Sequence, residues 1–268
     1  MSWERNYLEL CKRVIDTGYR AESRAGATRS LPGCMLKIPL DQGFPLLTTR
    51  RMHPDGVIGE LAGFVRGAED LATYEKFGCK YWRDNAAEWV PNRDKPFEEW
   101  QIGRSYGAIW RSLSNVDQLA NVIAMLKTDP LSRRHVVSAW DPGAQACLPS
   151  CHIMFQFYVR DGGLHCGVYM RSVDLCVGLP SDIVLYALLT SLVAKDVGLQ
   201  PKSLTFFLLD THVYENHVAL FSEQYSLVPG RSPQMAISPG ATTLSFTPDM
   251  ISISGYDPTP PIKYLFNK

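Results

Sequence analysis

Apolar residues recur at helical spacing from the start of the chain: Trp3, Tyr7, Leu10, Cys11, Val14 and Ile15 predict an amphipathic helix over residues 2–17. A polar stretch rich in Arg and Gly, residues 20–30, then reads as a loop. Leu36, Ile38 and Leu40 alternate with other residues, as in a half-buried strand. Val57, Ile58, Leu61, Phe64 and Val65 mark a second helix, which carries Glu60. Residues 67–113 mix aromatics with turn formers and follow neither period. An irregular segment of that size in a compact chain is more often functional than structural. Ser114 and Asp117 resemble a capping box that opens a helix with Val116, Leu119, Ile123 and Leu126 on one face.

The second half is rich in strands. Residues 135–140 read as one strand, and residues 152–160 and 164–171 as a hairpin around Asp161-Gly162-Gly163. Residues 183–197 are apolar on nearly every side and predict a buried central helix. Residues 203–209 read as a further strand and 211–221 as a further helix. The mixture predicts an α+β fold: a large, mostly antiparallel sheet with helices packed on one face. The other face is left for a partner, so a sheet-mediated homodimer is expected. There is no repeat, low-complexity segment or long linker, and residues 1–268 read as a single domain.

Composition narrows the class. The chain has 268 residues, 46% of them hydrophobic, enough for one large core. Its 27 basic and 27 acidic residues cancel, so no bulk electrostatic case exists for polymeric nucleic acid. Local clusters such as Arg50-Arg51 and Arg133-Arg134 suit small anions instead. Seven cysteines without CxxC spacing argue against a disulfide framework or a metal site and for a reducing compartment. Met1-Ser2-Trp3-Glu4-Arg5 carries no apolar signal segment, and no apolar run reaches a membrane span. A soluble cytoplasmic protein with no membrane partner is expected.

The candidate chemistry lies at Leu148-Pro149-Ser150-Cys151-His152, just before a hydrophobic strand, with Arg171-Ser172-Val173-Asp174 returning nearby. A thiol beside a histidine, with an arginine and a hydroxyl on the neighbouring strand, suits a nucleophile aimed at an anionic small molecule. Thiolates attack best where positive charge lowers their pKa. A lone cysteine at a strand start is ordinarily core filler. The residues around this one reverse that reading.

An ordered set of motifs extends the picture: Gly43-Phe44-Pro45-Leu46-Leu47-Thr48-Thr49-Arg50-Arg51, Glu60-Leu61, Ser105-Tyr106-Gly107, Asp129-Pro130-Leu131-Ser132-Arg133-Arg134, Cys151-His152, Arg171-Ser172-Val173-Asp174, Gly178-Leu179-Pro180, Asp210-Thr211-His212-Val213-Tyr214 and Gly255-Tyr256-Asp257-Pro258. This set resembles the thymidylate synthase superfamily, from Arg24 to Lys263. The resemblance implies that Cys151 adds to C6 of a pyrimidine, so that C5 attacks a one-carbon unit drawn from 5,10-methylenetetrahydrofolate. It implies that Arg24, Arg171 and Ser172 bind the 5′-phosphate, with Arg133 and Arg134 reaching across from a second subunit. His212 and Tyr214 would hold the sugar hydroxyl. Glu60 would organise water and relay protons, supported by Tyr106 and His152. Asp174 would contact the pterin, Gly178 and Trp82 would line the folate site, and Arg50 would attract the folate's glutamate tail. Taken without the family, Glu60 reads as a solvated helix charge, Arg133-Arg134 as a surface pair and Trp82 as core packing. His165, to which no role falls, reads as a strand-surface residue.

The chain departs from thymidylate synthases at several points. Those enzymes typically read Leu-Pro-Phe-Asn where this chain reads Leu179-Pro180-Ser181-Asp182. The asparagine amide pairs with uracil, which offers an acceptor at O4 and a donor at N3. Cytosine offers an amino donor at position 4 and an acceptor at N3. A protonated carboxyl group matches that pair; an ionised one would pair with an N3-protonated cytosine. The same change marks the deoxycytidylate hydroxymethylases of the superfamily. Gly63 stands where many synthases carry tryptophan, and Asn85 replaces a second aromatic after Trp82. Leu208-Leu209 replaces a frequent glycine pair, and the tail ends Tyr264-Leu265-Phe266-Asn267-Lys268 rather than in a short apolar segment. The expected activity is therefore dCMP 5-hydroxymethylation, with tetrahydrofolate released. The alternatives are dCMP 5-methylation, dUMP methylation and, in a different class, a non-enzymatic nucleotide- or RNA-binding protein. A Cys-His hydrolase would need a third orienting group and an oxyanion hole, and the sequence places neither.

Overall fold

The computed structural model describes residues 2–267; Lys268 of the tail lies outside them. Helix α1 (Trp3–Thr17) forms as the apolar spacing predicts, and the Ser2 hydroxyl caps it by accepting from the Arg5 N–H. The first departure from expectation follows directly. Residues 20–30 are not a loop: strands β1 (Tyr19–Ser23) and β2 (Gly26–Pro39) pair antiparallel across a tight turn that carries Arg24. All of β1 is exposed, so no apolar alternation marks it in the sequence.

Helix α2 (Pro54–Phe64) opens with proline in its first turn and buries Val57, Ile58, Leu61 and Phe64. The irregular segment resolves into short helices, α3 (Leu71–Lys76), α4 (Arg83–Glu88) and α5 (Gly107–Arg111), joined by turns. Helix α6 (Gln118–Thr128) is capped by Asp117, which accepts from the Ala120 N–H at 3.0 Å. The expected capping box is thus corrected. Ser114 lies outside the helix at φ 52° and Val116 precedes it, while Leu119, Ile123 and Leu126 face the core.

Strands β3 (Val136–Ser138), β4 (His152–Arg160), β5 (Gly163–Asp174) and β6 (Gln200–Tyr214) complete a six-stranded sheet in the order β1-β2-β6-β5-β4-β3. Every pairing is antiparallel except β5 with β6, which are parallel because helix α7 (Gly178–Val197) carries the chain between them. The predicted helix at 211–221 is corrected here. Strand β6 runs on to Tyr214, held by pairing with β2, and helix α8 (Val218–Tyr225) starts only after a 3-10 turn. A second, two-stranded sheet joins β7 (Gln234–Ile237) and β8 (Ile251–Ser254).

Helices α1 and α7 pack on one face of the main sheet. Helix α7 is long and apolar enough to cross a membrane, but 72% of its apolar window is buried in the protein, as suits a core helix. Leu36, Ile38, Phe155, Phe157, Cys166, Val168, Phe206 and Leu208 fill the inner face. The outer face carries a row that runs from strand to strand, Met35, Phe207, Tyr169 and Met154, set side by side by the register. Met35, Met154, Phe207 and Leu209 are exposed, so this face is apolar and uncovered within one chain. The structure explains the Leu208-Leu209 pair: Leu208 joins the inner core between Cys34 and Met170, and Leu209 extends the outer apolar face.

Candidate active site

A cavity of about 620 Å³ opens where β5 and β6 end beside the first turn of α7. Cys151, Arg171, Ser172, Asp174, His212 and Tyr214 line one side. Arg24 reaches it from the β1–β2 turn, and Asp182 and Gly178 line it from α7. A register shift in the β4–β5 pairing falls between His152 and Met154, next to the thiol, where a bulge re-aims the strand end.

The backbone of Cys151 is held from two sides. Its N–H donates to the Tyr106 hydroxyl at 2.9 Å, and its carbonyl accepts from the Arg171 N–H at 2.9 Å. Arg171 Nε donates to the Ser150 carbonyl at 2.8 Å and Nη2 to the Pro149 carbonyl at 3.2 Å. The same Nη2 lies 3.9 Å from the sulfur. Burial pushes the Cys151 thiol up, and Arg171 and then the Tyr106 hydroxyl pull it back. Arg171 is therefore the group that favours ionisation of this thiol.

Tyr106 has φ 42°, in the left-handed region that costs a side-chain-bearing residue energy. It is pinned at both ends, since its N–H donates to Ser150 Oγ at 3.0 Å and its hydroxyl serves Cys151. Its ring lies against His152, with centroids 4.2 Å apart. His152 Nδ1 lies 2.7 Å from the Tyr186 hydroxyl, and Nε2 lies 3.5 Å from Asp182 Oδ1. Burial pushes the His152 pKa down to about 3, so the ring is neutral and offers one donor and one acceptor. The contact with Asp182 is thus not an ion pair. Burial, and then the charges of Glu60 and Asp174, push the Asp182 carboxyl well above the usual carboxylate range. That shift favours the neutral carboxylic acid over the carboxylate.

Glu60 and Trp82 stand behind the cavity wall rather than on it. Burial pushes Glu60 up to about 7, and the Trp82 indole N–H tempers that rise, though it meets no acceptor at hydrogen-bonding geometry. Trp82 packs edge-on against Phe64 and Tyr106. Arg50 is also off the cavity: Nη2 donates to the Cys176 carbonyl, and the guanidinium lies 4.8 Å over the Tyr264 ring. Arg133 and Arg134 are exposed beside β3 and do not reach the cavity of their own chain. Gly63 does not open the cavity as its position in the sequence suggests. A Cβ there would lie 2.4 Å from the Tyr74 ring, so Tyr74 fills that space. Asn85 does line the cavity, beside Trp89.

Some functional neighbours escape sequence reading. Tyr186, which orients His152, lies one helical turn beyond Asp182, and that i,i+4 spacing could have found it. Ser150 accepts from both Tyr106 and Arg171, and only the fold brings those two together. Phe266 and Asn267 of the tail line the cavity, where Asn267 bonds to Asn216 and lies 3.2 Å from His217 Nε2.

A cysteine held beside an arginine, a neutral histidine and a buried carboxyl, in a cavity that a second arginine, Arg24, also lines, defines an enzyme of covalent chemistry on a small anionic molecule. The family model described as thymidylate synthase matches residues 5–267. "Thymidylate synthase 1/2" of Encephalitozoon cuniculi (strain GB-M1) is 40% identical over 282 residues, covering 97% of this chain and 96% of that protein. The chain belongs to the thymidylate synthase family, whose enzymes transfer a one-carbon unit to C5 of a nucleotide, with methylenetetrahydrofolate as co-substrate.

Proposed function

We propose that this enzyme acts on a cytidine monophosphate, with dCMP as substrate and 5-hydroxymethyl-dCMP as product. The observation that carries this reading is the state of Asp182. It lines the cavity with Oδ1 3.5 Å from the neutral His152, and burial, then Glu60 and Asp174, shift its carboxyl toward the protonated form. A carboxylic acid offers one donor and one acceptor, the complement of cytosine N3 and its 4-amino group. Uracil presents the opposite pair at N3 and O4. His152 sharpens the arrangement: if Tyr186 donates to Nδ1, then Nε2–H faces Asp182 Oδ1, which keeps a second lone pair for the 4-amino group while the protonated Oδ2 donates to N3.

The covalent step falls to Cys151. Its thiolate forms a bond to C6, the electron pair moves to C5, and the proton of the thiol passes to the surrounding polar groups. Arg171 favours that ionisation and, with Arg24 and Ser172, faces the 5′-phosphate across the same cavity. His212 and Tyr214 hold the sugar hydroxyl. The bound folate supplies the one-carbon unit that C5 attacks. Asp174 suits its pterin, because the N–H groups of Cys176 and Val177 occupy Oδ1, at 2.8 and 3.3 Å, and leave Oδ2 to accept from an incoming donor. Gly178 beside it leaves the approach open. Glu60 relays protons from behind the wall and Trp82 backs the folate side, while Arg50, held by the tail, attracts the glutamate end.

The uncovered apolar row on the sheet supports a homodimer in which Arg133 and Arg134 enter the partner's cavity. Hydroxymethylation is favoured over methylation by Asn85 and Asn267, polar groups on the cavity wall that admit water to the exocyclic carbon. The second reading, dCMP methylation, is favoured by Trp89 and Phe266, which line the same cavity and exclude water. Mass spectrometry of the products from dCMP, CMP and dUMP, each with methylenetetrahydrofolate, separates these outcomes. The account expects 5-hydroxymethyl-dCMP without the near-ultraviolet rise of dihydrofolate. Stoichiometric dihydrofolate with 5-methyl-dCMP would establish methylation, and turnover of dUMP alone would overturn the cytosine reading.

A further inference from the structure

We infer that Asp174, Cys176 and His217 form a binding site for a soft divalent cation of the zinc type, under the C-terminal segment. One ligand atom from each residue lies within 4.8 Å of the other two. Carboxylate oxygen, thiolate sulfur and imidazole nitrogen is a donor set that zinc accepts, with a fourth position left for water or substrate.

His217 supplies the independent observation. It is fully buried, and its Nε2 lies 2.8 Å from the Leu265 carbonyl. A carbonyl only accepts, so the tautomer that serves Leu265 has the proton on Nε2 and a lone pair on Nδ1, and Asn267 Nδ2, 3.2 Å from Nε2, donates instead to the same carbonyl. That Nδ1 has no hydrogen-bond partner among the described residues. A buried lone pair left unsatisfied is costly, whereas a metal-bound imidazole characteristically donates its other N–H to a backbone carbonyl. The remaining donors are equally available. Asp174 Oδ1 is taken by the N–H groups of Cys176 and Val177, which leaves Oδ2. Cys176 is buried and carries a free thiol. Binding therefore releases one proton from Cys176 to solvent as the sulfur–metal bond forms, and the two anionic donors offset the charges of Arg50 and the ion. Asp174 also faces the open cavity, which gives the ion its entry path. The donors come from β5, the turn after it and the turn before α8, so no CxxC-type spacing announces them in the sequence.

One consequence rests on the proposed function: an ion held by Asp174 removes the oxygen assigned to the pterin, so zinc should compete with folate and leave nucleotide binding intact. The site itself is tested without turnover, by titrating cobalt(II) into the reduced full-length protein. The expected result is one equivalent bound, with a thiolate-to-cobalt charge-transfer band in the near ultraviolet. That band should survive Cys151→Ser and vanish in Cys176→Ser. Zinc affinity, read by competition with a chromophoric chelator, should fall at least tenfold, roughly, in His217→Gln. Because Cys176→Ser could disturb a buried position, circular dichroism accompanies it, and His217→Gln leaves the thiol in place. No charge-transfer band in the parent, or a band lost in Cys151→Ser and kept in Cys176→Ser, would overturn the site. A cobalt band without zinc–folate competition would keep the site and overturn the pterin role of Asp174.

Discussion

The strand-borne side of the cavity and the side facing it differ in what fixes their residues. Arg171, Ser172, His212 and Tyr214 stand on β5 and β6, and Cys151 immediately precedes β4. Their relative positions follow from sheet register, with Ser172 paired to Asp210 and Asp174 to His212. Asn85, Trp89, Tyr106 and Phe266 stand on short helices, turns and the tail, where ring packing and single hydrogen bonds place them. The first side is built to hold a charged group at a fixed point. The second is built of small elements with few long-range bonds, which can be exchanged without disturbing the sheet. Under the proposed function, substrate anchoring and the nucleophile fall to the strand-borne side, and the fate of the transferred carbon falls to the facing side, which carries Asn85 and the tail.

Removing the thiol should break the strand-borne side's function most completely. Cys151→Ser is expected to lower turnover on the order of a thousandfold or more, since an alkoxide is far harder to generate than a thiolate. Nucleotide binding, followed by calorimetry, should change little because the arginine and hydroxyl contacts remain. Turnover within tenfold, roughly, of the parent would remove Cys151 as nucleophile.

A shared-site dimer predicts a smaller but distinctive effect. Arg133→Ala and Cys151→Ser, each inactive or weak alone, should recover activity when mixed under conditions of subunit exchange. Half the dimers are then hybrids with one intact site each, so about a quarter of the parent activity is expected. No recovery, once exchange is demonstrated, would place Arg133 outside the partner's cavity.

The smallest effect concerns stability behind the wall. The folded-state pKa of Glu60 is raised to about 7 by burial, so the folded form favours the proton. Its contribution is fully present below the unfolded carboxylate pKa and is lost as pH rises through about 7. Glu60→Gln cannot ionise, so it should melt a few degrees higher than the parent at alkaline pH. The difference should shrink toward zero on acidification. A difference independent of pH would show that Glu60 is not buried as a neutral acid.

How far the sequence reveals this molecule depends on whether the deciding contact is local. The β4–β5 hairpin is legible because Asp161-Gly162-Gly163 sets the turn and the apolar alternation on both strands is uninterrupted. The β1–β2 hairpin is not, because β1 buries nothing and its Arg20, Glu22 and Ser23 read as a polar loop. The end of β6 reads as helix because its strand state is imposed by pairing with β2, across most of the chain. The site follows the same division. Cys151, Arg171 and Asp182 stand out in their motifs, whereas the Ser150 contacts that join Tyr106 to Arg171 exist only in the fold. The upward shift of the Asp182 carboxyl is likewise invisible in the sequence, because it depends on burial and then on Glu60 from α2 and Asp174 from β5.

Base selection by Asp182 is the central claim, and one comparison tests it directly: kcat/KM for dCMP and for dUMP, measured on the parent and on Asp182→Asn. Exchanging an acid for an amide restores uracil's complement and removes cytosine's. The ratio of the two specificities should shift toward dUMP by about 2–4 kcal/mol, a factor of roughly thirty to a thousand. A parent that already prefers dUMP, or a ratio unmoved by Asp182→Asn, would contradict the reading of Asp182 as the residue that selects the base.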